Sequence, residues 1–270
     1  MVGIADQLPA YSKLARLELK TTLSYRSSLV GGLVVVLLRI ALLKAVWTAA
    51  YADRPSVDGV ALPDLLTFIT LANLQLVLMR PMLVWYIQQR IHEGKIALDL
   101  VRPVPLLGQL FAQQVGATAG LVPLVLLGVP LAFVLGNLAG PASPGATLAY
   151  LASLALAYLI SVLIGLLMGL VAFWTVQSLG VGVIYEFAIQ FFGGALIPLM
   201  FFPPVLRGLA DVLPFRSQVS IPVSIYTGAI SRPADLAGAF ALQLFWVVAL
   251  ALVVGWVWRY AQRVVTVQGG

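Results

Sequence analysis

Apolar and polar positions divide the chain into long hydrophobic stretches joined by short polar connections. About 20 mainly apolar residues make a helix long enough to cross a bilayer. On that rule the pattern predicts six spans: 28–50, 64–87, 107–135, 147–174, 181–202 and 236–258. The third and fourth are long and contain Gly120, Pro123, Gly128, Pro130, Gly165 and Gly169, which predicts kinks or tilt. Ahead of them, residues 8–26 place Tyr11, Leu14, Leu17 and Leu19 roughly on one helical face and Lys13, Arg16 and Lys20 on the other. That is the pattern of a helix lying in the membrane interface, the alternative being a solvated extension. The expected fold class is an all-α polytopic membrane protein, one transmembrane domain over residues 1–270.

The connections differ in character. Residues 87–105, IQQRIHEGKIALDLVRPVP, form the longest charged interior segment and hold His92, the single histidine. Tyr51 to Pro63 reads as a short polar loop, and Asn137 to Ala146 as a Gly- and Pro-rich turn. Residues 203–235 are too broken by Pro203, Pro204, Pro214, Pro222 and Pro233 to span, and too apolar for a free loop. Short helices dipping back into the outer leaflet are expected there, their irregular backbone shielded by protein.

Composition agrees with the pattern. Hydrophobic residues make up 61% and charged residues 10% of the chain, and mean hydropathy is +1.01. The net charge of +6 is spread between spans, which points to topology and anionic lipid and away from nucleic acid. There is no cysteine, so disulfides and thiolate metal sites are excluded. Met1 to Ser28 has no apolar core of its own, so it is not read as a cleavable signal. With both termini inside, Lys13, Arg16, Lys20, Arg26, Arg90, Lys95, Arg102, Arg259 and Arg263 lie in the cytoplasm, against Arg54, Arg207, Arg216 and Arg232 outside. The positive-inside rule favours that orientation.

Candidate chemistry is sparse. One histidine and no cysteine rule out a histidine-rich metal site, and no GxSxG, HExxH or close acidic pair lies at membrane depth. No catalytic residue and no metal ligand is assigned. Glu186 stands out within the fifth span, because an ionisable group there is expensive and usually faces a bundle interior or an aqueous cavity. It is read either as a pathway or gate residue or as an interfacial carboxylate paired with an arginine or with Tyr185. Arg39 in the first span marks a face turned from lipid, Lys44 snorkels outward, and Arg80 reaches headgroups or lines an inner vestibule. Phe187, Phe191 and Phe192 are apolar pathway candidates, favouring a hydrophobic or amphipathic cargo over an ion. Trp246, Trp256, Trp258 and Tyr260 read as an aromatic belt. Spaced acidic residues, as a proton-driven carrier would carry, are absent from the spans.

The segment IHEGKIALDLVRPVP, the stretch GGALIPLMFFPPVLRGLADVLPF and the ending VVTVQGG together resemble the membrane subunits of ABC exporters of the ABC-2 type, in a bacterial branch of six spans without a fused ATPase. The resemblance runs from about Arg90 onward. It implies that the loop between spans two and three, 88–105, is a coupling helix docking on a separate ATP-binding subunit, with Ile91, Glu93, Gly94, Lys95, Asp99, Arg102 and Pro103 at the docking surface. It implies two such ATP-binding subunits, a second six-span subunit (identical or related), and residence in the bacterial cytoplasmic membrane. The chain has no GxxxxGK[ST] loop, so no cofactor is expected in it, and ATP and Mg belong to the partner. The alternatives are a proton-coupled multidrug carrier and a membrane-embedded lipid-modifying enzyme.

Overall fold

The computed structural model describes residues 4–52, 54–80, 82–102, 104–174 and 179–268. The chain begins with α1 (Ile4–Ser24) and α2 (Arg26–Tyr51), joined by a bend at Tyr25, whose ψ of 57° leaves the helical region. A two-stranded hairpin follows, β1 (Ser56–Val57) and β2 (Val60–Ala61), turning on Asp58 and Gly59 at positive φ. Asp-Gly supplies the left-handed pair that such a tight turn needs. Next come α3 (Leu62–Leu76), α4 (Leu83–His92), α5 (Ile96–Val101), α6 (Leu106–Leu135), α7 (Pro144–Val171) and α8 (Leu179–Phe192). Beyond a 3-10 turn lie α9 (Pro204–Val212), α10 (Pro214–Gln218), α11 (Ser220–Tyr226) and α12 (Pro233–Gln268).

Among the described residues, four helices are long and apolar enough to cross a membrane, Arg26–Tyr51, Leu106–Leu135, Pro144–Val171 and Pro233–Gln262, with Leu62–Leu76 and Gly180–Phe192 as shorter apolar helices. Two of the expected spans differ from continuous helices. Residues 64–87 break between α3 and α4, just ahead of Pro81, which has no N–H to give and disfavours helix at Arg80. Residues 181–202 end their helix at Phe192, where Gly194 at φ +85° lets Ala195 and Leu196 donate back to the Gln190 carbonyl.

The first helix also differs from one lying free at an interface. Its Tyr11, Ala15 and Thr22 meet Gly108, Gly116 and Gly120 of α6 in that order, so α1 runs lengthwise beside the first half of α6, in the same direction. The contact face takes in Leu14, Glu18 and Leu19, while Leu17 turns outward among Lys13 and Lys20. Gly116 and Gly120 form a GxxxG pair, the spacing that lets two helix backbones touch.

The core sits around α3 and α7, with α10 and α11 wedged in from the far end. The break between α10 and α11 at Val219 exposes carbonyls at bundle depth, and amides from two other helices satisfy them. Gln75 donates to the Val219 carbonyl (2.9 Å). Gln243 of α12 donates to the Ser217 (2.8 Å) and Ser153 (3.1 Å) carbonyls and accepts from the Ser153 hydroxyl (3.0 Å). Non-helical backbone is tolerated at membrane depth only when it is served in this way. Gln243→Leu removes three buried hydrogen bonds, to the Ser217 and Ser153 carbonyls and from the Ser153 hydroxyl, and is expected to lower unfolding stability by about 1–3 kcal/mol, read as a reduced melting temperature of the detergent-solubilised protein.

Candidate functional site

The bend between α1 and α2 and the break between α3 and α4 face each other across a cavity of about 780 Å³. On α2 the lining positions Leu29, Gly32, Val36 and Arg39 recur at helical spacing, so one stripe of that helix forms a wall. Opposite it, α8 contributes Glu186 and Gln190, one turn apart. Leu121 and Leu124 of α6 close a further side, and Glu18 and Tyr25 lie at the bend.

Three of the charged or polar candidates read from sequence therefore converge. Arg39 donates to Gln190 Oε1 at 2.6 Å. Arg80 stands 3.5 Å from Glu186, both side chains partly open to the cavity. Glu186 lines the cavity with an arginine as its partner, and Tyr185 beside it also reaches the wall, its hydroxyl bonded elsewhere. The Tyr185 hydroxyl donates to Gln218 Oε1 (2.8 Å) and lies 3.4 Å from the Ser161 hydroxyl. Lys44, at the other end of α2, donates to the Leu135 carbonyl (3.1 Å) and Asn137 Oδ1 (2.7 Å), capping the C-terminus of α6.

The three phenylalanines do not join this group. One residue is a 100° step around a helix, so Phe187 leaves the cavity face that Glu186 occupies and is 62% exposed. Phe191 and Phe192 pack instead on Leu199, Phe202 and Ala210, beside the 3-10 turn. The geometry gives Phe187 an exposed position and Phe191 and Phe192 packing positions.

Span two is broken at the cavity wall, and α6 repairs it. Gln114 accepts from the Met82 N–H (2.9 Å) and donates to the Arg80 carbonyl (3.0 Å). Gln113 donates to the Tyr86 hydroxyl (2.8 Å), and Gln109 donates to the Asp99 (3.0 Å) and Val104 (2.8 Å) carbonyls. Sequence reading had passed over these three amides. Their signal was available, since amides inside an apolar run must find partners.

The charged loop is built as a clamp. Gly94, at φ +66°, turns the chain from α4 into α5. Asp99, 2% exposed, receives a two-pronged bond from Arg90, its Nη2 at 2.7 Å, and a second ion pair from Arg102 at 3.1 Å. Arg90 also lies over the Tyr86 ring. Asp99 therefore points inward and holds the loop, in place of the surface position expected of it. Ile91 likewise packs against the core. Glu93, Gly94, Lys95 and Arg102 remain exposed, and Pro103 lies outside the described residues. Lys95 pairs with Glu93 at 2.8 Å, and bonds from Lys95 and Gln89 hold the Glu93 carboxyl below its usual range.

Two further residues complete the loop's outer face. Leu98 and Val101, three apart on α5, are 65% and 84% exposed. They form an exposed apolar patch beside charged side chains, on a loop held by the Asp99 ion pairs.

A family model described as ABC-2 family transporter protein matches residues 36–269. No curated protein matches the chain.

Proposed function

Because the chain belongs to the ABC-2 family of transporter proteins, a multi-pass membrane permease family, we propose that it is the membrane-spanning half of an ATP-driven exporter powered by a separate ATP-binding subunit. The observation that carries this reading is the 88–105 loop, whose clamp of Arg90, Asp99 and Arg102 presents Leu98 and Val101 outward. In the proposed complex these two side chains enter a groove of the ATP-binding subunit, and Glu93, Lys95 and Arg102 fix register around them.

Force applied at α5 passes through the clamp into α4 and reaches the break at 77–82, which forms part of the cavity wall. A broken helix held by Gln114 is a hinge with two ends: the docking loop moves one, and the cavity feels the other. Six crossings follow if α3 with α4, and α8 with its following turn, each complete a passage. Both termini then face the cytoplasm of a bacterial cell. Two such subunits, identical or related, enclose the pathway, and two ATP-binding subunits drive it. The cargo is a hydrophobic or amphipathic small molecule.

Leu98→Asp with Val101→Asp tests the docking directly. The double variant is expected to insert and fold with unchanged melting temperature, yet to lose co-purification of the ATP-binding subunit. A complex that survives both substitutions places the docking surface elsewhere.

A further inference from the structure

Two guanidinium groups and two carboxylates line the cavity, and they are not evenly paired. Arg39 and Arg80 both line it, and Glu186 is the carboxylate at their level. Glu186 sits 3.5 Å from Arg80 and acts on Arg39 only through Coulombic attraction. Arg39 is bonded to a neutral amide, Gln190, and among the described residues no carboxylate lies within ion-pair distance of it. Each guanidinium keeps several N–H donors in a planar fork, a shape that suits a carboxylate or phosphate. Glu18, the other acid on the wall, lies on α1 toward the bend, and forms no ion pair with either arginine among the described residues.

Much of the remaining wall is apolar, with Thr21, Thr22, Ser28 and Asn73 interspersed. Leu29, Val36, Leu76, Leu121 and Leu124 face the cavity, and Val35 at its edge is also on the exposed face of α2 with Val34 and Leu38. That face is apolar and exposed on the single chain, so the cavity opens sideways onto an apolar surface.

We propose that this cavity binds the anionic head of an amphiphile, a phosphate or carboxylate on an alkyl tail, with the head between Arg39 and Arg80 and the tail along the α2 and α6 wall. The site deepens the transport reading and rests on it only for its place in the pathway. Glu186 is a competitor for the same guanidinium groups: it holds Arg80 while the cavity is empty and yields it to the incoming anion.

Calorimetric titration of the purified protein in phosphatidylcholine nanodiscs, with dodecyl phosphate and with empty nanodiscs as blank, tests it. One saturable site per chain is expected. Arg39→Gln and Arg80→Gln each weaken binding at least tenfold, Arg39→Lys less, and Glu186→Gln tightens it severalfold. The opposite signs are the discriminating result, because a merely structural role would weaken binding in every variant. Competition by phosphatidylglycerol nanodiscs supports the site with bilayer lipid as the natural source of the head. Inorganic phosphate binding as tightly as dodecyl phosphate overturns the amphiphile. Preference for dodecyltrimethylammonium, or arginine variants that bind as the parent does, overturns the anion.

Adding the same probes to the assembled ATPase complex separates this site from the transport reading. Anion binding without any change in ATPase rate sustains the site and removes it from the pathway. Stimulation by the cationic amphiphile alone sustains the pathway and sinks the proposal.

Discussion

An Asp99→Ala chain loses the fold of its 88–105 loop, and trypsin cuts at Arg90 and Lys95 on the order of a hundredfold faster than in the parent. The carboxylate is buried and serves two arginines, one of them largely buried itself. Removing one partner of a buried pair costs about 3–5 kcal/mol, because the surviving charge is left without compensation. Each 1.4 kcal/mol is about a tenfold change in an equilibrium. Proteolysis that samples the open form follows that equilibrium. Asp99→Asn keeps the shape and loses the charge, so it falls between alanine and parent. Glu93→Ala, at an exposed pair with Lys95, leaves the cutting rate unchanged. Equal cutting of the Asp99 and Glu93 variants would show that the clamp does not hold the loop.

Gly116→Val separates α1 from α6. A Cβ at Gly116 would stand 2.1 Å from the Ala15 carbonyl oxygen, and its next neighbours are also backbone atoms of Ala15. No side-chain rotation relieves such a contact, so the helix must move. Overpacking of this kind costs about 1–3 kcal/mol, and the unyielding backbone puts this site at the upper end. The chain has no cysteine, so a single Thr22→Cys reports on the interface without background. Maleimide labelling of that cysteine is expected to rise at least tenfold in the Gly116→Val background. Gly31→Val is the control, since a Cβ there meets nothing within 4 Å. Unchanged labelling in the Gly116 variant would mean that α1 does not depend on this close approach.

Helical, membrane-spanning architecture was legible because hydropathy reads each segment by itself. Relations between segments were not. The break in span two was signalled locally by Arg80 and Pro81, but its repair lies on another helix, in Gln114. Arg39, Arg80 and Glu186 were each found as charges in apolar surroundings, and the cavity explains why they are tolerated. Phe187 was read as an apolar pathway residue, although adjacent residues on a helix face different neighbours and Glu186 takes the cavity side. The loop was read as one surface, so Asp99 and Ile91 were placed outside with Glu93 and Lys95. Assigning α5 its helical period separates them, with Leu98 and Val101 on one side and Asp99 on the other. A similar shift moves Leu17 off the packed face of α1.

The most direct measurement is a photo-crosslink from α5. A benzoylphenylalanine at Val101, 84% exposed on the loop, is compared with one at Val205, equally exposed on α9. Ultraviolet irradiation of the expressing cells is followed by identification of the adducts by mass. An adduct with an ATP-binding subunit is expected from position 101 and none from position 205. An ATP-binding subunit that co-purifies with the chain yet crosslinks only from position 205, or from neither position, would contradict it.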